Sequence, residues 1–394
     1  MKRLFVFLAY IVIFSQLFSI WMPFLDSMFM GYTIRYLIFY FYVFISISVY
    51  ICKCLFNKTI RYTDFYLLIF IIGPLIVGIL NRWGLLNVLV ESTLFLMPIS
   101  LYVTVKCWGM SKEYYTKIFS ALVIIGAVIS VLVATKVIHT SIWAPEGQLV
   151  RAAGAVDSTL FIGGYIFSFV ILFVFVEKRT IMSTVYYVVT FISSIIGLLF
   201  SESRTRIIMI LFITIVILMY NFYASGALRN IKFLLLVFIS FLVLCLYKSD
   251  VLFQMINQVL DRFSIVTATD GNVLYRQTEI NEQLKNFLSS PLFGQGWGSR
   301  SQYRAMYAHN MYSTLLMQGG ILFFACFLRW IYSFVVDEIR HIKKFGISKD
   351  DFICIMFLSS ILILGFTNAG LIQSGGYFMM LFVFIHNNSL RKKA

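Results

Sequence analysis

Between Leu4 and Ile385 the sequence is a succession of apolar runs, most of them about 15 to 20 residues long. A helix rises about 1.5 Å per residue, so about 20 apolar residues carry it across the hydrocarbon core of a bilayer. Only 12% of the 394 residues are charged. A soluble protein has about 25%, and so few charges could not coat one of this size. The fold class that follows is an all-α polytopic membrane protein. An ordinary soluble enzyme, a disordered chain and a disulfide scaffold are excluded.

The runs predict about twelve transmembrane helices. They lie near residues 4–21, 35–52, 65–80, 85–105, 118–137, 160–175, 182–199, 207–219, 231–246, 310–328, 352–366 and 371–385. The first run is too long for the core of a signal peptide and no small-residue cleavage site follows it, so it reads as an uncleaved span. Three parts result: a bundle of about nine helices over 1–247, a helical outer loop over 248–308, and about three helices with a tail over 309–394.

Net charge is +15. With no soluble basic domain to carry it, this balance points to membrane orientation rather than to nucleic acid. An even number of spans puts both termini on one side. That side takes most of the 32 Lys and Arg, among them Lys2, Arg3, Lys53, Lys58, Arg61, Arg340, Lys343, Lys344 and the tail Arg391 to Lys393. Both termini are therefore expected in the cytoplasm. The six cysteines offer no pair in an outer loop, so no structural disulfide is expected.

The loop from Lys248 to Ala308 is richer in charge than the rest of the chain. Val251, Leu252, Met255, Ile256, Val259, Leu260 and Phe263 recur at helical spacing behind Asp250, a plausible N-cap. Ile280, Leu284, Phe287 and Leu288 form a second apolar stripe, in a helix that Arg276 opens and Pro291 stops. Two amphipathic helices of this kind either cap the bundle or cover a site. The segment Pro291-Leu292-Phe293-Gly294-Gln295-Gly296-Trp297-Gly298 follows. No strand precedes it, so it is a turn or a close backbone approach rather than a dinucleotide fingerprint.

Arginines recur on the expected outer face, where orientation disfavours them: Arg35, Arg82, Arg151, Arg204, Arg206 and Arg276. Each serves either as a contact to lipid phosphate or as part of a pocket for a polyanionic substrate, because a guanidinium fork binds phosphate bidentately. His309 stands at the start of the tenth span, either as a structural hydrogen-bonder or as a neutral imidazole base. No closely spaced acidic pair occurs in the outer loops, so no metal and no cofactor are expected. A secondary transporter or flippase is the rival class. Its ionisable groups belong near the bilayer midplane, and Glu91 and Lys136 are the main candidates, both near predicted helix ends.

The order of these features carries a resemblance. Arg151-x-x-Gly154 precedes one span, Ser201-x-Ser203-Arg204 another. Then come Arg276, the glycine segment, His309-Asn310-x-Tyr312 and Gly319-Gly320. Over roughly 151–328 the chain resembles the superfamily of Wzy-type O-antigen polymerases and WaaL-type O-antigen ligases. The resemblance implies a glycosyltransferase of the bacterial inner membrane with its site at the periplasmic face. Its donor is a glycan on undecaprenyl diphosphate, and its catalysis needs no metal. It assigns the diphosphate to Arg204 and Arg276, with Arg151 as a further basic residue and Arg206 as a neighbour. It assigns the base to His309. Where many members carry Glu-Gly, this chain has Gly319-Gly320 after Gln318. Trp297, Tyr303 and Tyr307 are candidates for stacking on sugar rings, with packing onto the bundle as the alternative. Expected partners are the lipid-linked oligosaccharide, the bilayer, and a chain-length regulator and flippase of the same pathway. The acceptor is another lipid-linked repeat unit in a polymerase, and the lipid A core in a ligase.

Overall fold

A computed structural model gives the architecture. It describes residues 28–29, 32–56, 62–92, 271–299 and 310–347, with further single positions between 96 and 100, 124 and 132, 185 and 196, and 351 and 365. Among the described residues the regular elements are helices apart from one hairpin, in which β1 (Met28–Phe29) pairs antiparallel with β2 (Tyr32–Thr33). The chain divides into two compact units, residues 1–110 with 268–394, and residues 111–267.

In the first unit α1 spans Ile34–Phe56, α2 Tyr62–Leu80, α3 Gly271–Ser289 and α4 Met311–Phe345. The first two match the second and third expected spans to within four residues. Residues 85–92 are helical, as the fourth span requires. Near 118–137, 182–199 and 352–366 every described position is helical. The expected spans near 4–21, 160–175, 207–219, 231–246 and 371–385, and the expected loop helix over 251–263, lie outside the described residues.

α4 departs from expectation. It was expected to stop near Leu328, with Arg329, Arg340 and His341 in a loop, but it continues to Phe345. Arg329 does not end it, because its guanidinium lies over the rings of Tyr66 and Tyr332, 5.8 and 5.5 Å from their centroids. Gly346, at φ 79°, caps the end through its N–H on Ile342 O. Among the described residues α4 is the one helix long and apolar enough to cross a membrane.

α2 and α4 run antiparallel. Phe70 packs on Phe327 at 5.0 Å, and Phe323 fills the space where Gly73 has no side chain. Small residues let helix axes approach closely where lipid offers no hydrophobic drive for association. Ile72, Ile76 and Ile79 are exposed at helical spacing, an apolar face suited to lipid.

Candidate functional site

α4 is broken at Gly320, whose φ 60° and ψ −173° belong to a region only glycine occupies without strain. A continuous helix would bond Ile321 N–H to Met317 O and Leu322 N–H to Gln318 O. The glycine segment takes over all four groups. Ile321 and Leu322 donate to Pro291 O and Leu292 O at 2.9 and 3.1 Å, while Gln295 and Gly296 donate to Met317 O and Gln318 O at 2.8 and 2.9 Å. The loop is spliced into the helix, bond for bond. Within a bilayer each orphaned backbone group costs several kcal/mol, so non-helical backbone survives only where protein satisfies it. Gly294 and Gly320 face each other backbone to backbone, and a Cβ on either would collide with the other segment.

The same loop is pinned to α2. Trp297 N–H donates to Pro74 O at 3.0 Å, and Gly78 and Gly296 meet with no room for a side chain. The turn after α2 reaches back as well, with Asn81 Nδ2 and Trp83 Nε1 donating to Gln295 O at 2.9 and 2.6 Å. The Gln295 side chain donates to Asn286 O and Ser289 Oγ at the end of α3. One residue thus ties together α2, α3 and α4.

Behind the loop lies Glu91, 6% exposed. Its Oε2 accepts from Gly298 N–H at 2.7 Å and from Gln318 Nε2 at 2.9 Å. Neither the buried carboxylate nor its link to the break was foreseen as part of this site. Glu91 stood out in the sequence only as an intramembrane charge.

The N-terminal turn of α4 is fixed from two sides. Asn310 caps it, its side-chain oxygen accepting from Tyr312 N–H and Ser313 N–H. Gln283 of α3 then accepts from Ser313 Oγ at 2.5 Å and donates to Thr314 Oγ1 at 3.2 Å. α3 therefore buries a polar stripe, Glu279 at 5% exposure and Gln283 at 0%, and leaves Leu288 70% exposed. The apolar stripe through Leu284 and Leu288 is the more exposed face of α3, and the polar stripe is the one packed on α4. Gln283→Leu is expected to destabilise the protein by about 1–3 kcal/mol by leaving buried hydroxyls short of a partner. A thermal melt of the detergent-solubilised protein measures this, and an unchanged midpoint would show that the bolt carries no stability.

An apolar cleft of about 470 Å³ lies between α1, α2 and helix 85–92, lined by Leu37, Val43, Ile47, Ile71, Leu75 and Leu89. Its shape and lining suit a hydrocarbon chain.

Residues 188–328 match the family model Wzy_C, described as O-antigen ligase. That match, over residues 188–328, supports the O-antigen polymerase/ligase superfamily for this part of the chain. No match was found among curated proteins. The O-antigen ligase match takes in Arg204, Arg206, Arg276, the glycine loop, His309 and the broken part of α4, and leaves out Arg151.

The expected site residues divide. Arg276 lies on α3, in its second turn rather than opening it, and two turns before Gln283. His309 directly precedes the Asn310 cap and, like Arg151, Arg204, Arg206, Tyr303 and Tyr307, lies outside the described residues. The structure thus joins the helix carrying Arg276 to the helix that follows His309, through the Gln283 bolt. Trp297 is 1% exposed. Its ring is packed inside the protein.

Proposed function

We propose that the chain is a polysaccharide polymerase. It moves an undecaprenyl-diphosphate-linked glycan onto another lipid-linked repeat unit at the periplasmic face of the bacterial inner membrane. The observation that carries this reading is the O-antigen ligase match over residues 188–328, a range that includes Arg204, Arg276 and His309. The acceptor hydroxyl oxygen attacks the anomeric carbon, and the bond from that carbon to the diphosphate oxygen breaks. His309 takes the hydroxyl proton. Negative charge grows on the departing undecaprenyl diphosphate, so guanidinium groups from Arg204 and Arg276, with Arg151 and Arg206 as further contributors, bind the transition state more strongly than the ground state. One displacement inverts the anomeric centre. The apolar cleft between α1 and α2 is a suitable bed for part of the prenyl chain. Tyr303 and Tyr307 are retained as sugar contacts.

A second reading, ligase, is favoured by the description of the matching family. Deletion in the source organism separates the two. Loss of a polysaccharide ladder to single repeat units on lipid A core is the expected result for a polymerase. Long chains that stay on the lipid diphosphate would make the chain a ligase. No change in glycan would place the protein's substrate in another pathway or favour the transporter reading. Transfer by the purified enzyme is expected to survive EDTA, since arginines supply the charge that a metal supplies elsewhere. A loss restored by Mg²⁺ would overturn that arrangement.

A further inference from the structure

We propose that Glu91 is a positioning residue for glycosyl transfer. Its carboxylate couples the glycine loop to the N-terminal half of α4, and so sets where the Asn310 cap of that helix stands. The inference rests on the function proposed above, in which the residue ahead of that cap, His309, is the base.

A buried carboxylate is costly unless hydrogen-bonded. Here one oxygen serves two segments at once, the loop at Gly298 and the helix at Gln318. Gln318 stands two residues before the break at Gly320. At that point two main-chain bonds of α4 go to the loop instead of along the helix, so the loop shares in directing the N-terminal half. The short half, residues 311–319, is a lever about 13 Å long. A tilt of about 5° at Gln318 moves its far end by about 1 Å. Displacement of that size can cost about 10²-fold in rate. Glu91 and the Gln283 bolt hold the two ends of this lever.

The chemistry of the pair supplies a test that separates position from charge. Glu91→Gln keeps an oxygen for Gly298 N–H, and its amide can donate to Gln318 Oε1, a buried atom with no partner in this structure. Glu91→Ala keeps neither link. Gln318→Glu sets two carboxyl groups against each other, and adding Glu91→Gln restores a complementary pair.

Two readouts are taken together. The first is kcat and KM for the lipid-linked donor in membranes. The second is maleimide labelling of the thiol introduced by Ser299→Cys, at a position now 0% exposed, with the native cysteines replaced by serine. Glu91→Ala is expected to lower kcat about 10²-fold with KM little changed, and to open the thiol to label. Glu91→Gln should stay within about threefold of wild type with the thiol shielded. Gln318→Glu should be impaired and the double variant recovered. Wild-type kcat in Glu91→Ala overturns the proposal. So does a Glu91→Gln protein that is inactive although its thiol stays shielded, because the carboxylate would then act chemically. If Glu91→Ala fails to accumulate, the Gln318→Glu pair decides, and no recovery in the double variant overturns the proposal. A wild type that transfers no glycan refutes the proposed function instead, while the labelling series still reports whether Glu91 seats the loop.

Discussion

A protein carrying His309→Ala is expected to reach the membrane in normal amounts and to make no detectable polymer. Removing a positioned base typically costs about 10²–10⁴-fold, and a polymer ladder multiplies that loss at every added unit. Arg276→Ala should fall by about 10²–10³-fold, the scale for one donor aimed at developing negative charge. Arg276→Lys should recover only part of it, because an ammonium keeps the charge and loses the two-pronged geometry that fits a phosphate. Complementation of a deletion strain, with the polysaccharide run on a gel and the protein quantified in the membrane, measures all three. Full ladders from both alanine variants would sink the assignment of base and clamp. The described residues give a reason to expect little structural damage. Asn310 caps α4 with its own side chain, and Gln283 bolts α3 to α4, so neither link depends on the mutated side chains.

The largest effect on the fold is expected at Gly320. Gly320→Val needs a side chain at φ 60° and ψ −173°, and its Cβ would collide with Gly294 N and Leu292 O. Those atoms cannot yield, because they belong to segments held by the bond exchange with α4. A loss above about 4 kcal/mol is expected, the range for backbone strain joined to a core clash. The protein should then fail to accumulate or should elute as aggregate. Gly319→Ala is the control. A Cβ there meets Phe323 Cβ at 3.3 Å, a tight but adjustable contact, and no positive φ is involved. Normal yield of Gly320→Val would show that the break in α4 is not specified at that residue.

What the sequence disclosed follows from which forces leave a local trace. Apolar length located α1 and α2 and the start of α4, since a bilayer imposes it on each helix separately. Pro291 foretold the end of α3 through its missing N–H. The far end of α4 was misplaced because one arginine interrupted the apolar run, and nothing local said that Tyr66 and Tyr332 receive it. The polar stripe on α3 left no local trace either, because Gln283 is placed by the hydroxyls of Ser313 and Thr314, about thirty residues on. The glycine segment was visible as a motif, but its use was not. Its partners, Pro74, Met317, Gln318, Ile321 and Leu322, bond through main-chain atoms that carry no sequence signature. Glu91 was noticed for its charge, and its partners lie more than two hundred residues away. Arg204, Arg276 and His309 stood out only together, as an ordered set.

The splice also dictates when this protein can finish assembling. Its main-chain partners run from Pro74 to Leu322, and Asn81 meets Gln295 across 214 residues. Biosynthesis proceeds from the N-terminus, so α2 is made with the bare patch around Gly78 still waiting for Trp297. The loop, once made, has amides and carbonyls that only the far side of the break can satisfy. Closure therefore cannot precede synthesis of Leu322, and a nascent chain arrested short of that residue carries an open seam.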